Sequence, residues 1–164
     1  MASPFVLLKS AVFTVLVPGT VAGLIPWVLA RYDRESSAFD STVVRSIGRM
    51  ALALGGLLYL HTAFRFADEG RGTPSPSDEP DELVTGGIYA RVRNPMYVAV
   101  VLFVFGQAIR YRSLHVFWYG IVCWLGFHNR VVTFEEPHLA EKHGDAYEEY
   151  RARVPRWIPR VRKA

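Results

Sequence analysis

A polar, arginine-rich segment leads directly into an apolar segment near the middle of the chain: TGGIYARVRNPMY, residues 85–97. Gly86 and Gly87 permit backbone conformations that other residues avoid. Asn94 before Pro95 fits a helix N-cap followed by proline in the first turn. Because a helix N-terminus presents free N–H groups and a partial positive charge, this corner could receive an anion or a carboxylate.

The same segment has a second interpretation that involves no ligand. Arginine and tyrosine side chains are common where a membrane helix meets the lipid headgroups. Arg91 and Arg93 could contact headgroups, while Tyr89 and Tyr97 join the interfacial aromatic belt. Spacing alone leaves both interpretations open.

Two adjacent carboxylates, Glu135 and Glu136, directly follow the last apolar segment. Acidic residues at a basic membrane face need a partner, because an ionisable group near lipid is costly unless it is paired. We therefore expect these carboxylates to pair with arginine or with a cationic ligand. The candidate arginines are Arg91, Arg93, Arg151 and Arg153.

Histidine and cysteine do not form a recognisable metal site in this sequence. His61 and His128 lie in separate apolar segments without the ligand spacing of a metal centre, and Cys123 is the only cysteine. We therefore expect no metal and no disulfide. His128 precedes Glu135 by seven residues, two turns along one face of a continuous helix, so it could line the same pocket.

These polar residues lie at the ends of long apolar segments. Hydrophobic residues make up 51% of the 164-residue chain, and the charged residues are concentrated between uncharged stretches. Crossing a bilayer takes about 20 apolar residues. Four segments qualify, 5–30, 47–64, 95–111 and 114–132, and only RYRS separates the last two, which predicts a tight helical hairpin. A signal peptide is disfavoured, because no basic region or small-residue cleavage site accompanies the first segment.

Charge gives a direction for the chain in the membrane. Positive residues favour the cytoplasmic side, and the C-terminal region is dense in them: Lys142, Arg151, Arg153, Arg156, Arg160, Arg162 and Lys163. We expect a multi-pass protein of the cell (inner) membrane with this region in the cytoplasm. The first connection conflicts in part, since it carries Arg31, Arg34, Arg45 and Arg49.

The chain divides into two parts. Residues 1–66 read as two plain membrane helices, in which Gly48, Gly55 and Gly56 allow close helix packing. Residues 67–164 contain an exposed loop at 67–82, the hairpin and a helical C-terminal segment, with a helix start near Pro137 and an interruption at Gly144.

An ordered set of motifs then carries a resemblance. LVTGGIYARVRNPMYVAVVLFVFGQ is followed, after one hairpin, by FEEPHLAEKHGDAYEEYRARVPRWIP. In order and spacing, residues 83–159 resemble the isoprenylcysteine carboxyl methyltransferase family, integral membrane enzymes related to the phospholipid N-methyltransferases. Residues 1–66 share only hydropathy with that family.

The resemblance implies an all-α integral membrane protein, a bundle of about four transmembrane helices whose helical C-terminal segment completes a cytosol-facing pocket. It implies S-adenosyl-L-methionine as methyl donor without a Rossmann domain, and no G-x-G-x-x-G motif occurs in the chain. A lipophilic acceptor would enter from the bilayer, so membrane lipids are the expected surroundings. Nucleic acid is not an expected partner, and the basic tail is better suited to anionic headgroups.

The resemblance also assigns roles to individual residues. Glu135 and Glu136 would receive the α-ammonium of the cofactor, and Arg93 and Arg153 would hold an anionic group of the acceptor. The other implied cofactor-binding residues are Tyr89, Asn94, Pro95, Tyr97, His128, Tyr147 and Tyr150.

The acceptor stays open at this point. Many members of the family have histidine where this chain has Asn94, and asparagine cannot titrate near neutral pH. The NPMY sequence is also similar to the phospholipid N-methyltransferase motif. An isoprenylcysteine carboxylate is favoured, with a lipid amine, or a small lipophilic thiol or phenol, as alternatives. A non-catalytic lipid- or partner-binding membrane module is the alternative of another class, and a transporter is a third.

Overall fold

The computed structural model describes residues 4–33, 39–69 and 82–159, and all regular secondary structure in these ranges is helical. The helices are α1 (Pro4–Gly19), α2 (Ile25–Arg31), α3 (Thr42–Glu69), α4 (Pro95–Arg110), α5 (Leu114–Arg130), α6 (Glu136–His143) and α7 (Asp145–Arg153). Two π-helical turns, Thr20–Leu24 and Val131–Glu135, join α1 to α2 and α5 to α6, and a 3₁₀ turn spans Gly87–Ala90. The predicted all-helical class is confirmed for the described part of the chain.

Within the described ranges, two helical stretches are long and apolar enough to cross a membrane, Ala11–Arg31 and Thr42–Arg65, while Pro95–Arg110 is apolar but shorter. The predicted hairpin is present, because α4 ends at Arg110 and α5 begins at Leu114. Most of the predicted loop at 67–82, and the tail residues Arg160, Arg162 and Lys163, fall outside the described ranges. The division of the chain at residue 66 stays a prediction.

A proline follows each π-helical turn and accounts for it. Pro26 is the second residue of α2, and its ring would clash with the carbonyl of Ala22 in a regular helix. The wider π-helical turn relieves the clash and frees that carbonyl. Gln107 of α4 donates its side-chain amide to the freed Ala22 oxygen, and the Tyr119 hydroxyl donates to the Val21 oxygen at 2.9 Å. The irregular turn therefore fixes the first helical segment to the hairpin.

Glycines bring α3 and α4 into close contact. A Cβ on Gly55 would lie 2.8 Å from the Ala99 oxygen and from the Phe103 nitrogen. On α4, a Cβ on Gly106 would lie 2.8 Å from the Leu52 nitrogen. The predicted close packing is confirmed at Gly55, where backbone meets backbone. Gly56 instead faces only the Phe103 ring, at 3.7 Å.

At the hairpin end of the bundle, a carboxylate joins the end of α2 to the start of α5. Asp33, just beyond α2, accepts hydrogen bonds from the Ser113 hydroxyl at 2.8 Å and the His115 backbone N–H at 2.9 Å. Ser113 also caps α5, because its hydroxyl accepts from the Val116 N–H. Beside this cap, Arg112 forms an ion pair with Asp40 at 2.7 Å.

The opposite end of the bundle contains most of the candidate site residues from the sequence. Here α6 and α7 meet at Gly144, whose φ of +53° suits glycine and confirms the predicted interruption. Tyr147, Tyr150 and Val154 form a small core against Leu83 and Leu139. Residues 154–159, which we call the C-terminal strap, then run without regular structure past the beginning of α4.

Candidate active site

A cavity of about 510 Å³ lies where the beginning of α4, the second π-helical turn and α6 meet. Its polar wall carries Tyr89, Arg93, Asn94, Tyr97, Arg130 and Glu135. Its apolar wall extends onto the first helical segment and includes Phe13, Val17 and Val21. The cavity therefore joins a charged end to an apolar end that lies between candidate membrane helices.

Glu135 is the carboxylate on the cavity wall. It accepts a hydrogen bond from the Tyr97 hydroxyl and one from the Arg130 Nε–H at 2.8 Å. The Tyr97 ring packs on Phe127 with centroids 4.6 Å apart. Tyr97 and Arg130 therefore fix the position of the Glu135 carboxylate, and Phe127 fixes the Tyr97 ring. A quarter of the Glu135 side chain stays exposed.

Glu136, the neighbouring carboxylate, does not line the cavity and forms the centre of an ion network behind the wall. Arg156 of the strap donates two hydrogen bonds to it, at 2.6 and 2.8 Å, and the Arg93 Nη1 lies 3.1 Å from its Oε1. Burial alone would raise the pKa of Glu136, but the Arg156 hydrogen bonds and the positive charges of Arg93 and Arg156 hold it below its ordinary value. Glu136 is therefore an ionised anchor.

Arg93 connects this network with the cavity. Its side chain is 9% exposed, and its Nη1 also donates to the Tyr147 hydroxyl at 3.2 Å. Its Nε is buried and has no hydrogen-bond partner among the described residues. Because Arg93 also lines the cavity, its guanidinium offers a positive charge to a ligand with an anionic or carbonyl oxygen.

Two tyrosines hold the 3₁₀ turn against the C-terminal helices. The Tyr150 hydroxyl donates to the Tyr89 carbonyl at 2.8 Å, and Tyr147 packs beside Tyr150 with ring centroids 6.3 Å apart. Burial raises the pKa of Tyr150 above its ordinary value, so the hydroxyl stays protonated and keeps donating. Tyr89 and Tyr150 line the cavity, whereas Tyr147 lies behind it.

The C-terminal strap is joined to the start of α4 by two hydrogen bonds. The Arg93 N–H donates to the Pro155 oxygen at 2.9 Å, and the Asn94 side-chain amide donates to the Arg156 oxygen at 3.2 Å. The helix does begin at Pro95, as predicted. Asn94 occupies the N-cap position, as predicted, but its side chain forms no cap hydrogen bond because the amide is turned to the strap.

Seven of the eleven candidate residues from the sequence line one cavity: Tyr89, Arg93, Asn94, Pro95, Tyr97, Glu135 and Tyr150. Glu136 and Tyr147 contact Arg93 directly behind the wall. The structure does not bring the remaining two, His128 and Arg153, to the cavity. The roles of all eleven stay predictions.

His128 and Arg153 are turned away for identifiable reasons. The π-helical turn between His128 and Glu135 breaks the regular helical register, so the two no longer share a face. His128 instead accepts a hydrogen bond from the Trp157 indole at 3.1 Å. Arg153 lies about 90° around α7 from the buried tyrosine face, is exposed, and donates to the Glu149 oxygen of its own helix.

Sequence reasoning missed the arginines that hold the two carboxylates. Of its four candidate partners only Arg93 pairs with Glu136, while Arg151 pairs with Glu148 at 2.8 Å. Arg130 and Arg156 were not candidates. It also missed the cavity-lining residues His138, Lys142 and His143. His138 and Lys142 are four residues apart and share one face of α6, and this spacing could have revealed them.

Comparison with known proteins supports the resemblance seen in the motifs. A family model described as phospholipid methyltransferase matches residues 43–146. A solved structure of the eukaryotic intramembrane Ras methyltransferase, isoprenylcysteine carboxyl methyltransferase, superposes with a TM-score of 0.64 at 25% identity. The superposition covers 88% of this chain and 53% of that protein.

Two curated relatives each match about half of the chain. The protein-S-isoprenylcysteine O-methyltransferase of Schizosaccharomyces pombe is 40% identical over 80 residues, which are 48% of this chain and 34% of the relative. Protein-S-isoprenylcysteine O-methyltransferase B of Arabidopsis thaliana is 32% identical over 85 residues, 51% of this chain and 43% of the relative. The matches thus span less than half the length of either relative. Taken with the motifs and the shared fold, the family match shows that this chain belongs to the phospholipid methyltransferase family and, as its motifs predict, is related to the isoprenylcysteine carboxyl methyltransferases.

Proposed function

We propose that this protein is a membrane-embedded methyltransferase that uses S-adenosyl-L-methionine and acts on a lipophilic acceptor, with an isoprenylcysteine carboxylate favoured. The observation that carries the proposal is that one cavity combines a charged end with an apolar end. Four membrane-spanning segments, with the site facing the cytoplasm of a multi-pass cell-membrane protein, belong to the same proposal. Residues 67–164 would form the catalytic part and residues 1–66 the two supporting helices.

The side chains of the cavity suit such a cofactor. Glu135 offers a held carboxylate for the α-ammonium group, and Phe127 and Phe134 offer aromatic faces beside it. Arg130, already hydrogen-bonded to Glu135, adds a cation on the same wall. When bound there, S-adenosyl-L-methionine would supply an electrophilic methyl group on a sulfonium.

The acceptor would approach from the apolar end. Phe13, Val17 and Val21 provide a surface for a prenyl or acyl chain. At the charged end, the guanidinium of Arg93, which lines the cavity, would orient a carboxylate of the acceptor. A carboxylate is already a nucleophile and needs no base, so the residues contribute mainly by positioning the acceptor and excluding water. The absence of a titrating group at Asn94 is compatible with this chemistry.

Calorimetric titration of the detergent-purified protein with S-adenosyl-L-methionine and S-adenosylhomocysteine tests the cofactor. We expect saturable binding by the wild type. Glu135→Gln should weaken binding about tenfold, the effect of losing one charge-assisted contact. Glu136→Gln should weaken it less and lower the thermal midpoint more, since Glu136 anchors Arg93 and Arg156. Glu141→Gln, an exposed position on α6, is the matched control.

The titration distinguishes a methyltransferase from a non-catalytic membrane module. Absence of binding by folded wild-type protein would contradict the methyltransferase proposal and favour a non-catalytic lipid- or partner-binding module. If Glu136→Gln abolishes binding without loss of thermal stability, the cofactor contacts Glu136 directly and our assignment of the two carboxylates is wrong.

A lipid amine is the second candidate acceptor, favoured by the family match to phospholipid methyltransferases. An amine is protonated near neutral pH and needs a proton acceptor, for which His138 and His143 on the cavity wall are candidates. Offering farnesylated N-acetylcysteine and phosphatidylethanolamine separately distinguishes the two. A base-labile methyl ester would support the carboxylate, and a base-stable methylamine would support the amine.

A further inference from the structure

A second concave surface lies outside the candidate active site, between α3 and the 3₁₀ turn. It is a groove of about 550 Å³ lined by Leu54, Leu57, Leu58, His61, Gly87, Ile88 and Arg91. None of these residues lines the active-site cavity. We refer to this surface as the leucine–arginine groove.

The groove changes from apolar to cationic along α3. Leu54, Leu57, Leu58 and His61 follow one another at helical spacing on one face, and the Leu57 side chain is 66% exposed. From Leu54 to His61 the helix rises about 10 Å. The apolar part therefore lies inside a stretch able to cross a membrane, Thr42–Arg65, and the polar part lies near the end of that stretch.

Two arginines approach the polar end from different elements. Arg91 follows the 3₁₀ turn and is exposed. Arg65, one helical turn beyond His61, lies against Gly87, because a Cβ built there would be 2.5 Å from the Arg65 Nη2. The positive φ of Gly87 and its missing side chain allow this approach. The lining of the groove, all of it within the described ranges, includes no carboxylate.

We propose that the leucine–arginine groove binds one anionic phospholipid, with an acyl chain along the leucines and the phosphate at His61 and Arg91. An apolar row that ends in cations suits the headgroup end of a lipid with net negative charge, with the first part of one acyl chain along the leucines. A zwitterionic lipid fits less well, since its choline group would meet the same cations. This site does not depend on the methyltransferase proposal.

The groove shares one element with the active-site cavity. Gly87 and Ile88 face the groove, whereas Tyr89 of the same 3₁₀ turn lines the cavity and is held by Tyr150. A lipid in the groove would therefore support the outer side of a cavity wall. Its binding would couple the composition of the surrounding membrane to the rigidity of the site.

Native mass spectrometry of the detergent-purified full chain tests the proposal without cofactor or acceptor. The protein is offered equal amounts of phosphatidylglycerol and phosphatidylcholine with identical acyl chains. We expect retention of one phosphatidylglycerol with a preference of about fivefold or more, the effect of at least one arginine at the lipid surface. Arg91→Gln should lower that preference about fivefold, and Arg91→Lys should keep most of it.

Arg110→Gln is the control, since Arg110 is exposed at the opposite end of the hairpin. Circular dichroism checks that each variant is folded, and if Arg91→Gln does not fold, His61→Gln serves instead. Equal retention of both lipids, an unchanged preference in both Arg91→Gln and His61→Gln, or an equal loss in Arg110→Gln would overturn the proposal. A species of two chains without lipid that is lost in Arg91→Gln and kept in Arg110→Gln would overturn the proposal and identify the groove as a contact between copies.

Discussion

The position of each carboxylate in the Glu135–Glu136 pair follows from its partner arginine. Arg130 holds Glu135 on the cavity wall, and Arg156 with Arg93 holds Glu136 behind it. Two adjacent residues of identical chemistry therefore have different surroundings. One is available to a ligand, and the other keeps the strap and the start of α4 together.

Tyr97→Phe isolates the contribution of one hydroxyl to the site. The substitution keeps the ring contact with Phe127 and removes the donor to Glu135. Because Glu135 retains Arg130, we expect S-adenosylhomocysteine affinity to fall by about tenfold, near the lower end for a hydrogen bond to a charged group. Calorimetry measures the loss, with Tyr111→Phe at the hairpin as control. An unchanged affinity would mean that the Tyr97 hydroxyl has no part in positioning Glu135 for the cofactor.

The arginine partners of the two carboxylates could be predicted from the sequence only in part. The pairing of Glu136 with Arg93 was among the expected pairs, because an acidic residue in a basic region needs a partner. Arg156 was not, since it lies 20 residues further on in a tail where arginine is common. Asn94 shows the same limit. Its local sequence favours a cap, yet its partner is a carbonyl 62 residues away.

At the scale of elements, the apolar segments and their connections were predictable. Hydropathy located the four long helical regions and the tight hairpin, and Gly144 correctly separated α6 from α7. The π-helical turns were not predicted. Pro26 and Pro137 were visible in the sequence, but proline is compatible with a kink, a break or a wider turn. Because the second turn changes the register, His128 was wrongly expected to share a face with Glu135.

Gly55→Ala tests whether close contact of α3 and α4 holds the bundle together. The new methyl group would meet backbone atoms of Ala99 and Phe103, which cannot move aside as a side chain can. We expect a loss of about 1 to 3 kcal/mol in the free energy of unfolding, the usual cost of overpacking. Gly56→Ala is a matched control on the next residue, where only the Phe103 ring is near. In thermal unfolding in detergent, the midpoint of Gly55→Ala should lie well below that of Gly56→Ala. Equal midpoints would contradict the proposed packing role.

At each end of the helical bundle, one buried or partly buried carboxylate forms the polar contacts that hold neighbouring elements together. At the hairpin end, the His115 backbone N–H and the Ser113 hydroxyl hold the pKa of Asp33 well below its ordinary value, although burial opposes this. At the site end, burial alone would raise the pKa of Glu136, but Arg156 and Arg93 keep it lowered. Between these ends lie helices whose contacts are largely apolar. Stability that depends on charge is therefore concentrated at the two ends.

The two carboxylates predict how the whole molecule responds to acid. A carboxyl group whose pKa is lower in the folded state stabilises the fold above its unfolded pKa and loses that contribution as pH falls. The thermal midpoint should be nearly constant from pH 8 to about 5 and fall below about 4.5, where unfolded carboxyl groups begin to take up protons. Unfolding followed by circular dichroism in detergent measures the profile.

Substituting each carboxylate separately shows how much the hairpin end and the site end contribute to the loss of stability in acid. Asp33→Asn should lower the midpoint at pH 7, and its difference from the wild type should shrink toward pH 3, because the Asp33 carboxyl of the unfolded wild type then takes up a proton while the folded one resists it. Glu136→Gln should behave in the same way but also loosen the strap, so that protease cleavage near Arg156 accelerates at neutral pH. Asp33→Asn should leave that cleavage unchanged, since Asp33 lies at the opposite end. Faster strap cleavage in Asp33→Asn, or a difference in midpoint that stays constant with pH, would show that the two ends are not independent charged anchors.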